Sequence, residues 1–136
     1  MISSGPLEDR LAIRELVESY NDAVMRHDGE AWSANWAEDG SWTLPGGGAV
    51  DGRAQILATW EGAMSNFSFV GFFASAGPII VNGDEARGTW YQQEFLHQKD
   101  GVKRNITGLY EDDYVKQGGR WYFKRRVYSI LNAEEY

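Results

Sequence analysis

The sequence predicts an α+β fold in which helices come first and a largely antiparallel sheet follows. Apolar residues recur at helical spacing between Leu7 and Val24. From Phe67 onward the chain has the character of strands, with period-two alternation clearest at 106–115 and 121–129, and turn signals interrupt it at 82–84, 99–101 and 117–119. Helices that are separated from strands in this way are typical of a sheet with helices on one face.

The first helix is predicted from Pro6 to about Arg26. Proline suits the first turn of a helix, and Glu8 follows where a negative charge suits the helix dipole. Tyr20 lies on the apolar stripe of this helix. Its phenol either packs in the core with a satisfied hydroxyl or points into a cavity.

The segment between this helix and the sheet predicts three short elements and a loop. We expect a helix over Glu30–Glu38, a strand over Ser41–Pro45 and a third helix over Arg53–Ser65. Three consecutive glycines at 46–48 are expected to form a flexible turn, because no lysine and no helix follow them directly, as a phosphate-binding loop would require.

The rest of the chain predicts strands, which are Phe67–Ala76, Pro78–Val81, Glu85–His97, Val102–Val115 and Arg120–Leu131. The last two are expected to form a hairpin around the glycines at 118–119. Alternation in the second strand of this hairpin places Trp121, Phe123 and Val127 on one face. It places Arg126 and Tyr128 on the other.

The overall composition narrows the class of protein. The length of 136 residues predicts one domain over 1–136, and a net charge of -7 argues against a nucleic-acid partner. No segment resembles a membrane span or a signal peptide, so we expect no membrane partner and a cytoplasmic location. Without cysteine and with two histidines, no metal site is expected. Aromatic residues form 14% of the chain, which favours an aromatic-lined pocket.

Motifs spread along the chain resemble the SnoaL-like branch of the nuclear transport factor 2-like superfamily, and in particular its dehydrochlorinase, bile-acid dehydratase and scytalone dehydratase members. They are Trp36, Asp39, Trp42, Thr43, Gly46 and Gly52, then Ala86, Gly88, Trp90 and Tyr91, then Gly108, Tyr110, Asp112, Tyr114, Gly119, Trp121 and Arg126. The resemblance implies a single SnoaL-like domain, with a curved, mixed or antiparallel sheet that forms a cone around the helices, a cystatin-like α+β barrel. It also implies a homo-oligomer, either a dimer or a trimer.

The resemblance also shows where this chain departs from the family. The dehydratases use an aspartate and a histidine as a proton-abstracting dyad, and these positions match Met25 and Phe73, neither of which can move a proton. The general base of the steroid isomerases matches Leu44. Two matches do survive, Tyr20 as an oxyanion donor and Arg126 as a cation that assists the leaving group.

Glu94 is the candidate to replace the missing base. It shares a strand face with Trp90 and Gln92, and in the family this face lines the cavity. A carboxyl group in an aromatic cavity has a raised pKa; alternatively, Glu94 lies at the rim, in solvent or paired with Arg126. We therefore predict Tyr20, Glu94 and Arg126 as catalytic residues. The predicted substrate-binding residues are Met25, Trp42, Phe73, Trp90, Gln92, Ile106 and Tyr110.

These residues predict a cofactor-independent lyase or isomerase that acts on a hydrophobic aromatic small molecule. Elimination and retro-aldol carbon–carbon cleavage, for example of a lignin-derived phenolic, both fit, and a polyketide-cyclase-like enzyme belongs to the same class. The alternatives are a non-catalytic small-molecule binding protein and an assembly subunit of the same fold. A filled cavity would favour the assembly subunit, and a deep cavity without a titratable group would favour the binding protein.

Overall fold

The computed structural model describes all 136 residues and confirms the α+β fold. Its elements are α1 (Leu7–Arg26), α2 (Gly29–Ser33), β1 (Trp36–Thr43), β2 (Ala49–Asp51), α3 (Arg53–Met64), β3 (Phe67–Asn82), β4 (Glu85–Gln98), β5 (Lys103–Gln117) and β6 (Arg120–Glu135). The six strands form one sheet in the order β2-β1-β6-β5-β4-β3. The pairing is antiparallel except between β1 and β6, so the sheet is mixed.

The sheet is open and curves around α1. Its edge strands, β2 and β3, do not pair with each other, so the barrel is not closed. Helix α1 contacts β3 at one edge of the sheet. It also contacts β6, which is separated from β3 by β4 and β5. A sheet that contacts one helix through two distant strands has a concave face toward that helix, as expected for the predicted cone.

Helix α1 has the predicted bounds. Its buried residues follow the apolar stripe and are Ile13, Leu16, Val17, Tyr20, Ala23 and Val24. Two acidic side chains lie in its first turn, and Arg26 lies in its last, each where the helix dipole favours that charge. The helix ends at His27, whose backbone adopts the left-handed conformation with φ of 55°.

The segment after α1 differs from the prediction. Helix α2 ends at Ser33, and Trp36 begins β1, so the helix predicted to reach Glu38 is wrong. Trp32 and Trp36 have helical spacing, but each reaches the core from a different element. The strand β2 was also missed; it pairs with β1 and is only three residues long.

Strand β3 is one element rather than the two that the sequence predicted. It continues through Gly77 and Pro78, and its register with β4 shifts between Ala76 and Ile79. Because β3 is an edge strand and pairs only with β4, the missing N–H of Pro78 can affect hydrogen bonds to one neighbouring strand only.

A bulge at Lys124 changes the faces of β6. Phe123 and Arg125 pair with consecutive residues of β5, so Lys124 has no partner in the ladder. Arg126 and Tyr128 are therefore buried on the same side as Phe123. The strict alternation that placed them on the opposite face is wrong, because it did not allow for the extra residue.

Aromatic side chains fill the space between the helices and the concave face. Trp32 lies at the centre, stacked on Trp60 with 4.7 Å between ring centroids. The rings of Tyr20 and Trp42 lie 5.3 and 5.4 Å from Trp32. The aromatic content of the sequence therefore goes largely into a packed core.

Candidate active site

Two groups of polar side chains are embedded in this aromatic core on the concave face. The ion-pair cluster consists of Asp112, Arg126, Tyr114 and Trp90, and the Glu94 cluster consists of Glu94, Tyr128 and Gln92. Both groups arise because alternate residues of β4, β5 and β6 point inward.

The ion-pair cluster holds a fully buried charge pair. Arg126 donates from Nε to Asp112 Oδ1 over 2.8 Å and from Nη2 to Asp112 Oδ2 over 3.1 Å. Tyr114 donates its hydroxyl proton to the same carboxylate over 2.7 Å, and Trp90 Nε1 donates to the Tyr114 oxygen over 2.7 Å. Burial raises the pKa of Asp112. The charge of Arg126 and the three hydrogen bonds to the carboxylate act in the opposite direction, because they stabilise its charged form.

Arg126 is also enclosed by aromatic rings. Its guanidinium carbon lies 3.7 Å from the ring centroid of Tyr110, 4.3 Å from that of Phe123 and 4.6 Å from that of Tyr20. Burial opposes the charge, but the carboxylate of Asp112 and the phenols of Tyr20 and Tyr110 together outweigh burial and raise the pKa of Arg126. One nitrogen, Nη1, is buried without a hydrogen-bond partner and is available as a donor.

The Glu94 cluster holds a carboxyl group whose hydrogen-bond donors are neutral. Tyr128 donates its hydroxyl proton to Glu94 Oε1 over 2.9 Å, and Gln92 Nε2 donates to the same oxygen. The amide oxygen of Gln92 is buried without a partner. Glu94 forms no ion pair.

Burial raises the pKa of Glu94 above its ordinary value of 4.5. The hydrogen bond from Tyr128, the charge of Arg104 and the hydrogen bond from Gln92 act in the opposite direction. A carboxyl group whose pKa is raised toward neutrality is a better partner for proton transfer than an ordinary glutamate. Glu94 can therefore act as a general base and then as a general acid.

Two phenols lie between the clusters. Burial raises the pKa of both Tyr20 and Tyr110, although the charge of Arg126 opposes the effect, so both stay protonated near neutral pH. Trp42 Nε1 donates to the Tyr110 oxygen over 3.2 Å. Protonated phenols held in an apolar interior can donate hydrogen bonds to a developing negative charge.

The structure brings together most of the residues predicted for the site. On the concave side lie Tyr20, Trp42, Trp90, Gln92, Glu94, Ile106, Tyr110 and Arg126. The alternative in which Arg126 pairs with Glu94 is wrong, because the partner of Arg126 is Asp112.

Two predicted residues lie elsewhere. Phe73 is on the outer face of the sheet and 55% exposed, so its expected place on the inner wall is wrong; the inward residue is Phe72, which packs against Tyr20. Met25 is 44% exposed, and its sulfur accepts the backbone N–H of Phe72 over 3.2 Å. Neither Phe72 nor Phe73 is a histidine, so the departure from the family dyad holds at both positions.

Asp112, Tyr114 and Tyr128 are site residues that were not predicted as such, and of these only Tyr128 was assigned to the wrong face. The bulge at Lys124 hid its inward orientation. Gly108 was an available signal, since a glycine in mid-strand indicates that another group approaches the backbone closely.

Most of the main surface cavities lie away from these clusters, but the lining of one of them includes Asp112 of the ion-pair cluster. Five surface cavities have volumes from about 150 to 570 Å³, and none has Glu94, Tyr110 or Arg126 in its lining. Within the site, side chains occupy the space.

No group of three or more His, Asp or Glu side chains is arranged to hold a metal ion, and no helix is long and apolar enough to cross a membrane.

An open mixed sheet that curves around an N-terminal helix, with polar groups on its concave face, defines the α+β cone of the nuclear transport factor 2-like superfamily. A family model described as a SnoaL-like domain matches residues 5–127. The chain therefore belongs to the SnoaL-like family of that superfamily. A comparison with curated proteins gave no match.

Solved structures agree with this assignment. A Novosphingobium aromaticivorans protein proposed to be an aromatic ring hydroxylase is 25% identical, with a TM-score of 0.90 over 98% of this chain and 96% of its own. A proposed scytalone dehydratase from the same species is 24% identical, with a TM-score of 0.87 over 96% and 89%. Hexachlorocyclohexane dehydrochlorinase LinA-type3 from Novosphingobium barchaimii is 16% identical, with a TM-score of 0.83 over 96% and 91%. At this level of identity, these similarities establish the fold.

Proposed function

We propose that this protein is a cofactor-independent lyase or isomerase that acts on a hydrophobic aromatic small molecule. The observation that carries the proposal is Glu94, a carboxyl group on the concave face whose hydrogen-bond donors are neutral and whose pKa is raised by burial. Such a group is suited to proton transfer near neutral pH. The dehydratase and dehydrochlorinase names among the similar structures belong to the same reaction class.

Glu94 supports two related reactions. In an elimination, its carboxylate takes a proton from carbon, the C–H electron pair forms a carbon–carbon double bond, and the leaving group departs with its electron pair. In a retro-aldol cleavage, it takes the proton of a β-hydroxyl, a carbonyl forms, and the electrons of the broken C–C bond pass to the adjacent carbon. Glu94 then returns the proton to that carbon.

The remaining polar groups would stabilise the negative charge that either reaction develops. Tyr20 and Tyr110 are protonated donors, and Arg126 has one free nitrogen, Nη1. Aromatic walls suit an aromatic substrate, and a lignin-derived phenolic is one such compound. Glu94 is partly exposed whereas Arg126 is fully buried, so an entering substrate would contact Glu94 first. To reach Arg126, the substrate would have to displace side chains that fill the interior.

The proposal is tested by an ultraviolet absorbance screen with no metal or cofactor added. The panel consists of phenolic diols, aryl β-hydroxy compounds and aryl halides, and mass spectrometry of the products separates loss of water, halide or a carbon fragment. We expect a conjugated-alkene or aryl-carbonyl band, and Glu94→Gln should reduce its rate by about 100-fold or more. Glu111→Gln is the matched control, because Glu111 is exposed on the outer face of the neighbouring strand. Equal rates for Glu94→Gln and the wild type would exclude Glu94 as the base.

A second candidate function, an assembly subunit of the same fold, is favoured by the filled interior. A binding protein is the further alternative. Tryptophan fluorescence separates them when the screen detects no product: quenching by the same compounds would indicate a binding protein, and the absence of quenching would favour assembly. In each case we propose a single cytoplasmic domain over 1–136 that forms a dimer or trimer, which light scattering after size-exclusion chromatography would measure.

A further inference from the structure

The two oxygens of the Glu94 carboxyl group are not equivalent. Tyr128 and Gln92 both donate to Oε1, and Oε2 receives no hydrogen bond from the protein. We propose that Tyr128 and Gln92 are positioning residues that fix Oε1, so that Oε2 is the atom that exchanges the proton with the substrate. This inference rests on the proposed role of Glu94 as the base.

Gly108 makes this arrangement possible. The ring of Tyr128 crosses the backbone of Gly108, and a Cβ at that position would lie 2.5 Å from the Tyr128 hydroxyl oxygen and 2.7 Å from Cζ. Any other residue would push the phenol away. Gly108 is also the register partner of Gln92, so the missing side chain leaves the space in which Tyr128 reaches Glu94.

The ring of Tyr128 is held on its other side. Tyr110 is its register partner across β5 and β6, and the two ring centroids are 4.8 Å apart. The phenol is therefore fixed by packing rather than by its hydrogen bond alone. Because the ring of Tyr128 cannot turn, its hydroxyl stays in one place, and the carboxyl group of Glu94 must orient toward it to keep the hydrogen bond.

The groups that face Glu94 allow its titration to be followed. Tyr20 from α1, Tyr110 from β5 and Tyr128 from β6 are phenols whose pKa burial raises, and the charge of Arg104 from β5 lowers the pKa of Glu94. Between about pH 4 and 9, Glu94 is therefore the group in this cluster that changes charge.

The sign of the effect follows from the donors. The hydroxyl of Tyr128 donates to the carboxylate, favours the charged form and lowers the pKa of Glu94 against burial. Removal of this donor must therefore raise the pKa. A hydrogen bond to a charged group corresponds to a change of about one pH unit in the titration midpoint.

The test is a carbon-13 NMR titration of the full chain with labelled glutamate carboxyl groups, in which Glu94→Gln identifies the signal. We expect the midpoint to rise by about one pH unit in Tyr128→Phe, which keeps the ring, and also in Gly108→Ala, which keeps the hydroxyl but displaces it. In the double variant the midpoint should equal that of Tyr128→Phe alone, because both changes remove the same hydrogen bond.

The controls separate this effect from general disturbance. Tyr91→Phe removes a half-exposed phenol of the outer face, and Gly62→Ala adds a methyl group that meets nothing within 4 Å. Neither should move the midpoint. If Gly108→Ala does not fold, Tyr128→Phe and Gln92→Leu carry the test, since each removes one donor to Oε1. An unchanged midpoint in both would overturn the inference.

Activity gives a second readout once a substrate is found. Tyr128→Phe should lower kcat by about tenfold, leave KM nearly unchanged and move the acid limb of the pH–kcat profile upward. A fall in kcat/KM through KM alone would overturn the positioning role. A raised NMR midpoint in a protein without any turnover would instead support the hydrogen-bond arrangement and contradict the proposed function.

Discussion

Asp112 and Glu94 offer a comparison between two carboxyl groups on the same concave surface. Both point inward from neighbouring strands, and burial raises the pKa of both. Asp112 is sealed and held by two nitrogens of Arg126, whereas Glu94 is partly exposed and held by neutral donors. The difference shows that the partners of a buried carboxyl group, rather than the residue type, determine its role.

The contrast assigns separate tasks to the two clusters. A paired charge is costly to disturb and fixes β5 against β6. An unpaired carboxyl group is available for chemistry, and it destabilises the fold when it ionises. Substitutions that change one cluster at a time can test this division.

The largest effect is expected when the charge pair is broken. Asp112→Asn leaves the guanidinium of Arg126 buried without its counter-charge, so the free energy of unfolding should fall by about 3 kcal/mol or more. Urea denaturation measures the change. The control is Asp22→Asn, which removes an exposed pair with Arg26 and should leave stability nearly unchanged. Equal effects at the two sites would contradict a structural role for the buried pair.

A smaller effect is expected from the phenol between the clusters. Tyr20→Phe keeps the ring packing but removes a donor for negative charge, so turnover should fall about tenfold while the protein stays folded. Tyr91→Phe on the outer face is the matched control. If Tyr20→Phe turns over substrate at the wild-type rate, Tyr20 has a packing role only.

The smallest effect concerns stability and pH at Glu94. Burial raises its pKa in the folded protein, so the folded state binds the proton more tightly than the unfolded chain does. Stability should therefore be fully present below the unfolded pKa and decline as pH rises through the folded pKa. Glu94→Gln removes this decline and should be more stable than the wild type at pH 8, on the order of 1 kcal/mol.

Thermal unfolding at pH 4 and pH 8 measures this difference. At pH 4 the wild type and Glu94→Gln should unfold at similar temperatures, because the carboxyl group is then protonated in the folded state. A variant that is less stable than the wild type at pH 8 would mean that the ionised Glu94 stabilises the fold.

The regular elements of the fold were predictable from local patterns. The stripe of α1 and the alternation of β4 and β5 extend over many residues, and each pattern matches the element that formed. The region from Trp32 to Trp36 was not predictable in this way. Its spacing fits a helix, but the pairing of Trp36 with Phe123 of β6, a distant strand, makes it the start of β1.

The candidate site was predictable only in part, because register decides which side chains face inward. Alternation along β4 correctly grouped Glu94 with Gln92. Tyr128 was assigned to the wrong face because one unpaired residue, Lys124, reverses the alternation. Phe72 faces inward because it pairs with Glu94, and that pairing is a tertiary contact that the sequence alone does not define.

The parallel pairing of β1 with β6 has a consequence for how the chain reaches its structure. Trp42 pairs with Arg126, so the two partners lie 84 positions apart in the sequence. During synthesis, the three-residue β2 is the only strand that β1 can pair with until β6 leaves the ribosome. Loop closure over such a distance is slow, and until it occurs Trp36 and Trp42 of β1 lack their register partners on β6. The sheet should therefore form cooperatively and only after β6 has been synthesised, and chains that lack β6 should depend on chaperones.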